Sequence, residues 1–152
     1  MDLKRILVAV DALNGRDEAF ERALAIARKS GAELYVLHAV PVHHSFSFRA
    51  AERIERMADL RKRAEEAGVA VETVEQHGQP AEMIELHAGA RAVDLIVMGG
   101  EPRRGWGRRR SSIGDIVTRR TDVPALLVPS EAPAPPTGGR GPTQPAIDPA
   151  AA

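Results

Sequence analysis

The residues of this chain with the most chemistry in them lie in two places. Asp11 stands directly after an apolar run, "ILVAV" at Ile6–Val10, and the stretch "VMGGEPRRGWGRRRSS" occupies Val97–Ser112. The second begins as another apolar run ends. It passes through Gly99 and Gly100, gathers Arg103, Arg104, Arg108, Arg109 and Arg110, and closes on Ser111 and Ser112. Glycine permits close backbone approach, amides at a helix N-terminus attract anions, and guanidinium groups fork onto phosphate or carboxylate oxygens. The chemistry suggested is anion contact, with phosphates, nucleic acid or an acidic protein, set against the plainer reading of a solvated loop. Trp106 among the arginines can stack on a base, although a lone loop tryptophan more often packs over a domain edge. The whole chain has zero net charge, yet Gly100 to Arg120 carries seven arginines against Glu101 and Asp115. That asymmetry points to an anionic partner.

Other chemistries find less support. The chain has no cysteine, which removes disulfides, thiol catalysis and cysteine metal sites. The histidines form no convincing metal set: His43 and His44 are adjacent and expected to diverge, and His38, His77 and His87 fall in different elements. No serine–histidine–acid spacing stands out, so the reading leans away from an enzyme. A phosphorylatable receiver would want an acidic residue where the third strand ends, and the chain offers Gln76 and His77 there.

The elements that must position Asp11 and the arginine stretch follow from apolar periodicity. Continuous runs at Ile6–Val10, Leu34–Val40, Leu95–Met98 and Ala125–Val128 suit strands covered on both faces. Val69–His77 alternates and suits an edge strand with one wet face. Helical spacing joins Phe20, Ala23, Leu24 and Ala27, with Asn14 and Asp17 as a capping arrangement and Gly31 as the stop. A second helix is marked by Ile54, Met57, Ala58 and Ala64 and ended by Gly68; a third starts at Pro80 and carries Met83, Ile84, His87 and Ala88. Ile113, Ile116, Val117 and Arg120 mark the fourth, with Ser112 as its N-cap. Strict β-α alternation predicts an α/β domain, an open parallel sheet with helices on both faces. Ligands of such sheets sit beyond the carboxyl ends of the strands, where strand order reverses.

The domain is read as residues 1–130. Residues 131–152, rich in proline, glycine and alanine with Ile147 as the one large apolar side chain, read as a disordered tail. No apolar stretch is long enough for a membrane span, and the interrupted N-terminal run argues against a signal peptide, so a cytoplasmic protein is expected.

Five stretches, "RILVAVD", "ALAIARKSGAELYVLHAV", "GVAVETVEQHGQPAEMI", "VDLIVMG" and "VPALLVP", occur in order and span the domain from Arg5 to Pro129. In these the chain resembles the universal stress protein family. The resemblance implies five parallel strands in the order 3-2-1-4-5 with helices on both faces, an adenine nucleotide alpha hydrolase-like fold, and a homodimer through the last strand. It implies a binding or regulatory module in stress response, with ATP or another adenine nucleotide as ligand. Carried over residue by residue, Asp11 matches an aspartate on the adenosine side. Ala39 matches the apolar position after the second strand that lies against adenine, and Met98 and Gly99 match the start of a G-x-x-G, nine residues, G-[ST] motif. Ser112 and Ile113 match its end.

The motif is altered between those points. Pro102 stands where the second glycine belongs, Ser111 where the third belongs, and the loop is one residue short. Proline removes an N–H that would face a phosphate, and a non-glycine residue in a left-handed conformation costs about 1 kcal/mol. The expectation is weakened ATP binding in which arginines replace amide donors. The alternatives are a member that no longer binds ATP and contacts a protein or nucleic acid through its arginine loop, and a slow ATP-hydrolysing enzyme.

Overall fold

The structure is a computed structural model, which describes residues 2–45, 47–100 and 113–129. The arginine stretch with Pro102, Trp106, Ser111 and Ser112, and the tail, lie outside the described residues. Strands and helices alternate as β1 (Arg5–Val10), α1 (Glu18–Ser30), β2 (Glu33–Val40), α2 (Ala50–Glu66), β3 (Val71–His77), α3 (Pro80–Ala90), β4 (Leu95–Gly100), α4 (Ile113–Arg120) and β5 (Ala125–Pro129). The strands form one sheet in the order β3-β2-β1-β4-β5, and every neighbouring pair is parallel.

The central strand shows why both faces must be covered. Ile6, Leu7 and Val8 of β1 are fully buried, yet successive side chains point to opposite faces. Ile6 and Val8 pack with Phe20, Ala23 and Ala27 of α1 and Met57, Leu60 and Ala64 of α2. Leu7 packs with Ala81, Ile84 and Ala88 of α3 and Val117 of α4. Burial of each such aliphatic side chain stabilises by about 1.5–3 kcal/mol. β3 lies at the sheet edge, as its alternation predicts, but most of its side chains are half-buried rather than one face being wet.

Two helix details correct the sequence reading. In α2 the buried set is Arg53, Met57, Leu60 and Ala64, while Ile54 and Ala58 are exposed. One residue is 100° of helix rotation, and Arg53 wins the inward place because polar partners await it. Its Nε donates to Glu75 Oε2 on β3 at 3.0 Å, and its Nη1 donates to the Phe48 carbonyl. Asp17 precedes α1 but caps nothing with its side chain. Its carboxylate faces Arg63 of α2, at 3.1 Å, and Arg56. Asn14 Oδ1 instead accepts from the Arg16 amide at 2.9 Å. The Gly31 stop and the Pro80 start hold: Gly31 adopts φ 77° with its amide bonded to the Ala27 carbonyl, and Pro80 opens α3.

At the amino ends of β1 and β4 the backbone is tied by one side chain. Asp94 Oδ2 accepts from the amides of Lys4 at 2.8 Å and Arg5 at 3.0 Å, while the Asp94 amide donates to the Arg5 carbonyl at 2.8 Å. Those two amide hydrogen bonds hold the Asp94 carboxyl below its ordinary pKa.

Candidate functional site at the carboxyl ends of the strands

From β1 the chain moves outward through β2 to β3, then returns to the other side of β1 for β4 and β5. The β1–β4 registered pairing ends at Val8↔Val97, whereas β1–β2 pairing continues to Val10↔His38. Past Val8 the two central strands therefore part; α1, which follows β1, covers one face of the sheet and α4 covers the other. A cleft of about 550 Å³ opens there.

Five of the residues singled out by sequence line this one cleft: Asp11, Ala39, Met98, Gly99 and Ile113. Ala39 is the penultimate residue of β2 rather than a residue after it. Ser112 and the five arginines of positions 103–110 fall outside the described residues. Met98 is buried and forms part of the floor, with Leu37 and Ile84 beside it. Gly99 is exposed, and a Cβ built there would meet nothing within 4 Å among the described residues. Glycine at this point is not demanded by packing; it leaves open the space that a side chain would fill. Gly100 differs, since a Cβ there would lie 2.9 Å from Leu127 Cβ.

Asp11 is exposed at the rim and its Oδ1 accepts from the Leu13 amide at 3.0 Å. That bond ties one carboxylate oxygen to a local amide, and the second oxygen remains for a hydroxyl or amino donor. Arg49 carries a charge close enough to Asp11 to be coupled with it, and its fork is also occupied by Glu52, with Nη2 to Oε2 at 3.0 Å. Its backbone has φ 46°, a left-handed conformation uncommon for a non-glycine residue.

Sequence reasoning missed the wall contributed by the segment between β2 and α2. His44 and Phe48 stack there with ring centroids 4.1 Å apart, and both line the cleft. His77 Nε2 lies 2.8 Å from the His44 carbonyl, and Arg53 reaches the Phe48 carbonyl, so β3 and α2 pin this segment. The rings of His43 and His44 do not diverge as expected but meet edge to face, with centroids 4.3 Å apart. Below them His38 and Arg53 are the two buried polar side chains among the described residues. The signal was present in "LYVLHAV", a histidine inside an otherwise apolar strand.

The arrangement can take a flat, partly apolar ligand against Ala39 and Met98, with a carboxylate acceptor at one rim and an open backbone position at the other. A family model described as the universal stress protein family matches residues 2–129. The chain belongs to that family. Universal stress protein YxiE of Bacillus subtilis is 28% identical over 144 residues, covering 82% of this chain and 97% of YxiE. Universal stress protein MJ0531 of Methanocaldococcus jannaschii is 30% identical over 138 residues, covering 82% of this chain and 81% of MJ0531. A universal stress protein solved in complex with cAMP shares the fold with TM-score 0.66 at 22% identity, covering 86% of this chain and all, 100%, of that one. The universal stress protein from Archaeoglobus fulgidus in complex with dAMP also gives 0.66 at 22% identity, covering 84% of this chain and 99% of its own. The five-stranded order read from the resemblance is thus the order of this universal stress protein fold.

Proposed function

We propose that this universal stress protein is a regulatory module of the stress response that binds an adenine nucleotide in the cleft at the carboxyl ends of β1, β2 and β4. The observation that carries the reading is convergence. Asp11, Ala39, Met98, Gly99 and Ile113, picked from four separate stretches of sequence, line one cleft at the point where strand order reverses. Two structures of the same fold are complexes with cAMP and with dAMP. In this reading the base rests against Ala39 and Met98, Asp11 accepts from the adenosine side, and Gly99 leaves room for the ligand. Arg103, Arg104, Arg108, Arg109 and Arg110, with the Ser112 hydroxyl, receive the phosphates of ATP.

Because Pro102 and Ser111 replace two glycines of the motif, charge carries more of the phosphate contact than backbone amides do. Exposed charges are screened over about 8 Å at physiological ionic strength. Calorimetry of ATP binding at low and high salt tests this directly. Weak binding that falls steeply with salt is expected. Tight, salt-insensitive binding would show that the cradle survives its substitutions. No binding at low salt would turn the arginine stretch over to an acidic protein or nucleic acid. Phosphate release from bound ATP that disappears in Gly99→Val would move the protein into the class of slow ATPases.

The same reading makes β5 the strand of a homodimer. β5 is a sheet edge, and Leu127 on it is 39% exposed. Val128 is buried in the core, so Leu127→Lys is the cleaner probe. Light scattering is expected to show a dimer for the wild type and a monomer for Leu127→Lys; a wild-type monomer at high concentration ends the idea.

A further inference from the structure

His38 stands directly under the rim of the cleft. It is 3% exposed and pairs across the sheet with Val10 on one side and Glu75 on the other. Its Nδ1 lies 3.2 Å from the Ala12 amide nitrogen and 3.1 Å from the Val10 carbonyl oxygen. Those two groups belong to the two peptide bonds that flank Asp11. One ring nitrogen serves only one of them at a time: bare, it accepts from Ala12; protonated, it donates to Val10. The other nitrogen, Nε2, is buried without a hydrogen-bond partner among the described residues and lies 3.9 Å from Glu75 Oε2. The Glu75 carboxylate is already tied to the buried Arg53 guanidinium at 3.0 Å.

We propose that His38 is a positioning residue for Asp11. Its ring, accepting from the Ala12 amide, holds the Asp11 carboxylate in the orientation that receives an adenine nucleotide. When the ring gains a proton, Nδ1 turns its hydrogen bond to the Val10 carbonyl and Nε2–H is drawn to Glu75. The Ala12 amide is released, and the two peptides that aim Asp11 are re-set together. A histidine ring nitrogen can accept a hydrogen bond when bare and donate one when protonated, so the change needs no movement of the side chain. The charged and titratable groups around the ring are Glu75 from β3 and Arg53 from α2. Around the cleft they are Asp11, Arg16 and Glu18 at the start of α1, and His44 and Arg49 before α2. Acid thus weakens nucleotide binding through the backbone of Asp11, not through a contact between His38 and the ligand. The inference rests on the nucleotide reading for its consequence, but the contact it invokes is testable without any ligand.

The test has two arms and three proteins: wild type, His38→Asn and His38→Leu. Asparagine keeps an acceptor near the place of Nδ1 and does not ionise. The first arm follows the Ala12 amide by ¹⁵N–¹H correlation spectra against pH, with no nucleotide present. In the wild type the Ala12 resonance is expected to move along the His38 titration, and in His38→Asn to stay still. A wild-type Ala12 amide indifferent to that titration overturns the proposal. The second arm measures cAMP affinity by calorimetry across the same pH range, because the single phosphodiester charge of cAMP stays constant there. Wild-type affinity is expected to fall about threefold to tenfold toward acid, the size of one hydrogen bond. His38→Asn is expected to bind within about twofold of the wild type at neutral pH, with a flat profile, and His38→Leu to bind weakly at every pH. A wild-type profile that is flat, or that His38→Asn reproduces, overturns the proposal even if His38→Leu fails to fold. Absence of cAMP binding by the wild type at every pH ends the nucleotide reading instead, and the Ala12 arm then decides the His38 contact by itself.

Discussion

The two ends of the sheet use the same residue type in opposite ways. At the amino end, Asp94 gives one carboxylate oxygen to two backbone amides of a neighbouring strand, and its own amide bonds back to that strand. At the carboxyl end, Asp11 caps a single local amide, and around it the central strands part to leave a cleft. One aspartate is consumed by the fold; the other is presented by it. A parallel sheet makes this division natural, since all carboxyl ends lie together and all amino ends lie together. Holding the scaffold closed at one end lets the other stay open.

The sharpest way to break this comparison is Gly99→Val. Its β-carbon meets no atom of the described residues, so the melting temperature should change little while the side chain occupies the cleft. Nucleotide affinity should fall by more than about tenfold, measured by calorimetry; an unaffected affinity would remove Gly99 from the site. Asp94→Ala should do the reverse, lowering the melting temperature by several degrees at neutral pH and leaving nucleotide binding alone. Because hydrogen bonding depresses the Asp94 pKa in the folded state, its contribution is present above the unfolded value of about 3.9 and lost as pH falls through the folded one. The gap between wild type and Asp94→Ala should therefore close in acid, and thermal melts from neutral pH down to about pH 2 would show it. Asp11→Ala, the same change at the open end, should leave the melt unaltered and weaken preference for adenine over guanine nucleotides by about threefold to fivefold. A large loss of stability there would make Asp11 a second structural clamp. Deleting Ser130–Ala152, which follows the carboxyl end of β5, should change the melt least of all, within the error of the measurement.

Strands and topology were readable because apolar runs and β-α alternation leave few arrangements of a parallel sheet. That Asp11, Ala39, Met98, Gly99 and Ile113 line one cleft was expected for the same reason: topology decides which strand ends meet. What escaped was decided by partners distant in sequence. Ile54 looks like a core residue on hydrophobicity, yet Arg53 lies inward because Glu75, 22 positions later, receives its guanidinium. Asp17 looks like a helix cap until α2 brings Arg63 to it. His38 was visible as a histidine inside an apolar strand, but its role is set by the two peptides around Asp11 at the end of the adjacent strand.

The Asp94 clamp has a consequence in time as well as in strength. It joins residues 90 and 89 positions apart in the chain. Contacts of that separation carry a large loop-closure cost and are not rewarded until the intervening β2, β3 and α3 units are in place. The clamp therefore belongs to the late side of the folding barrier. Removing it should leave the rate of folding nearly as it was and make the native protein open faster, so that Asp94 acts as a latch on the lifetime of the folded chain.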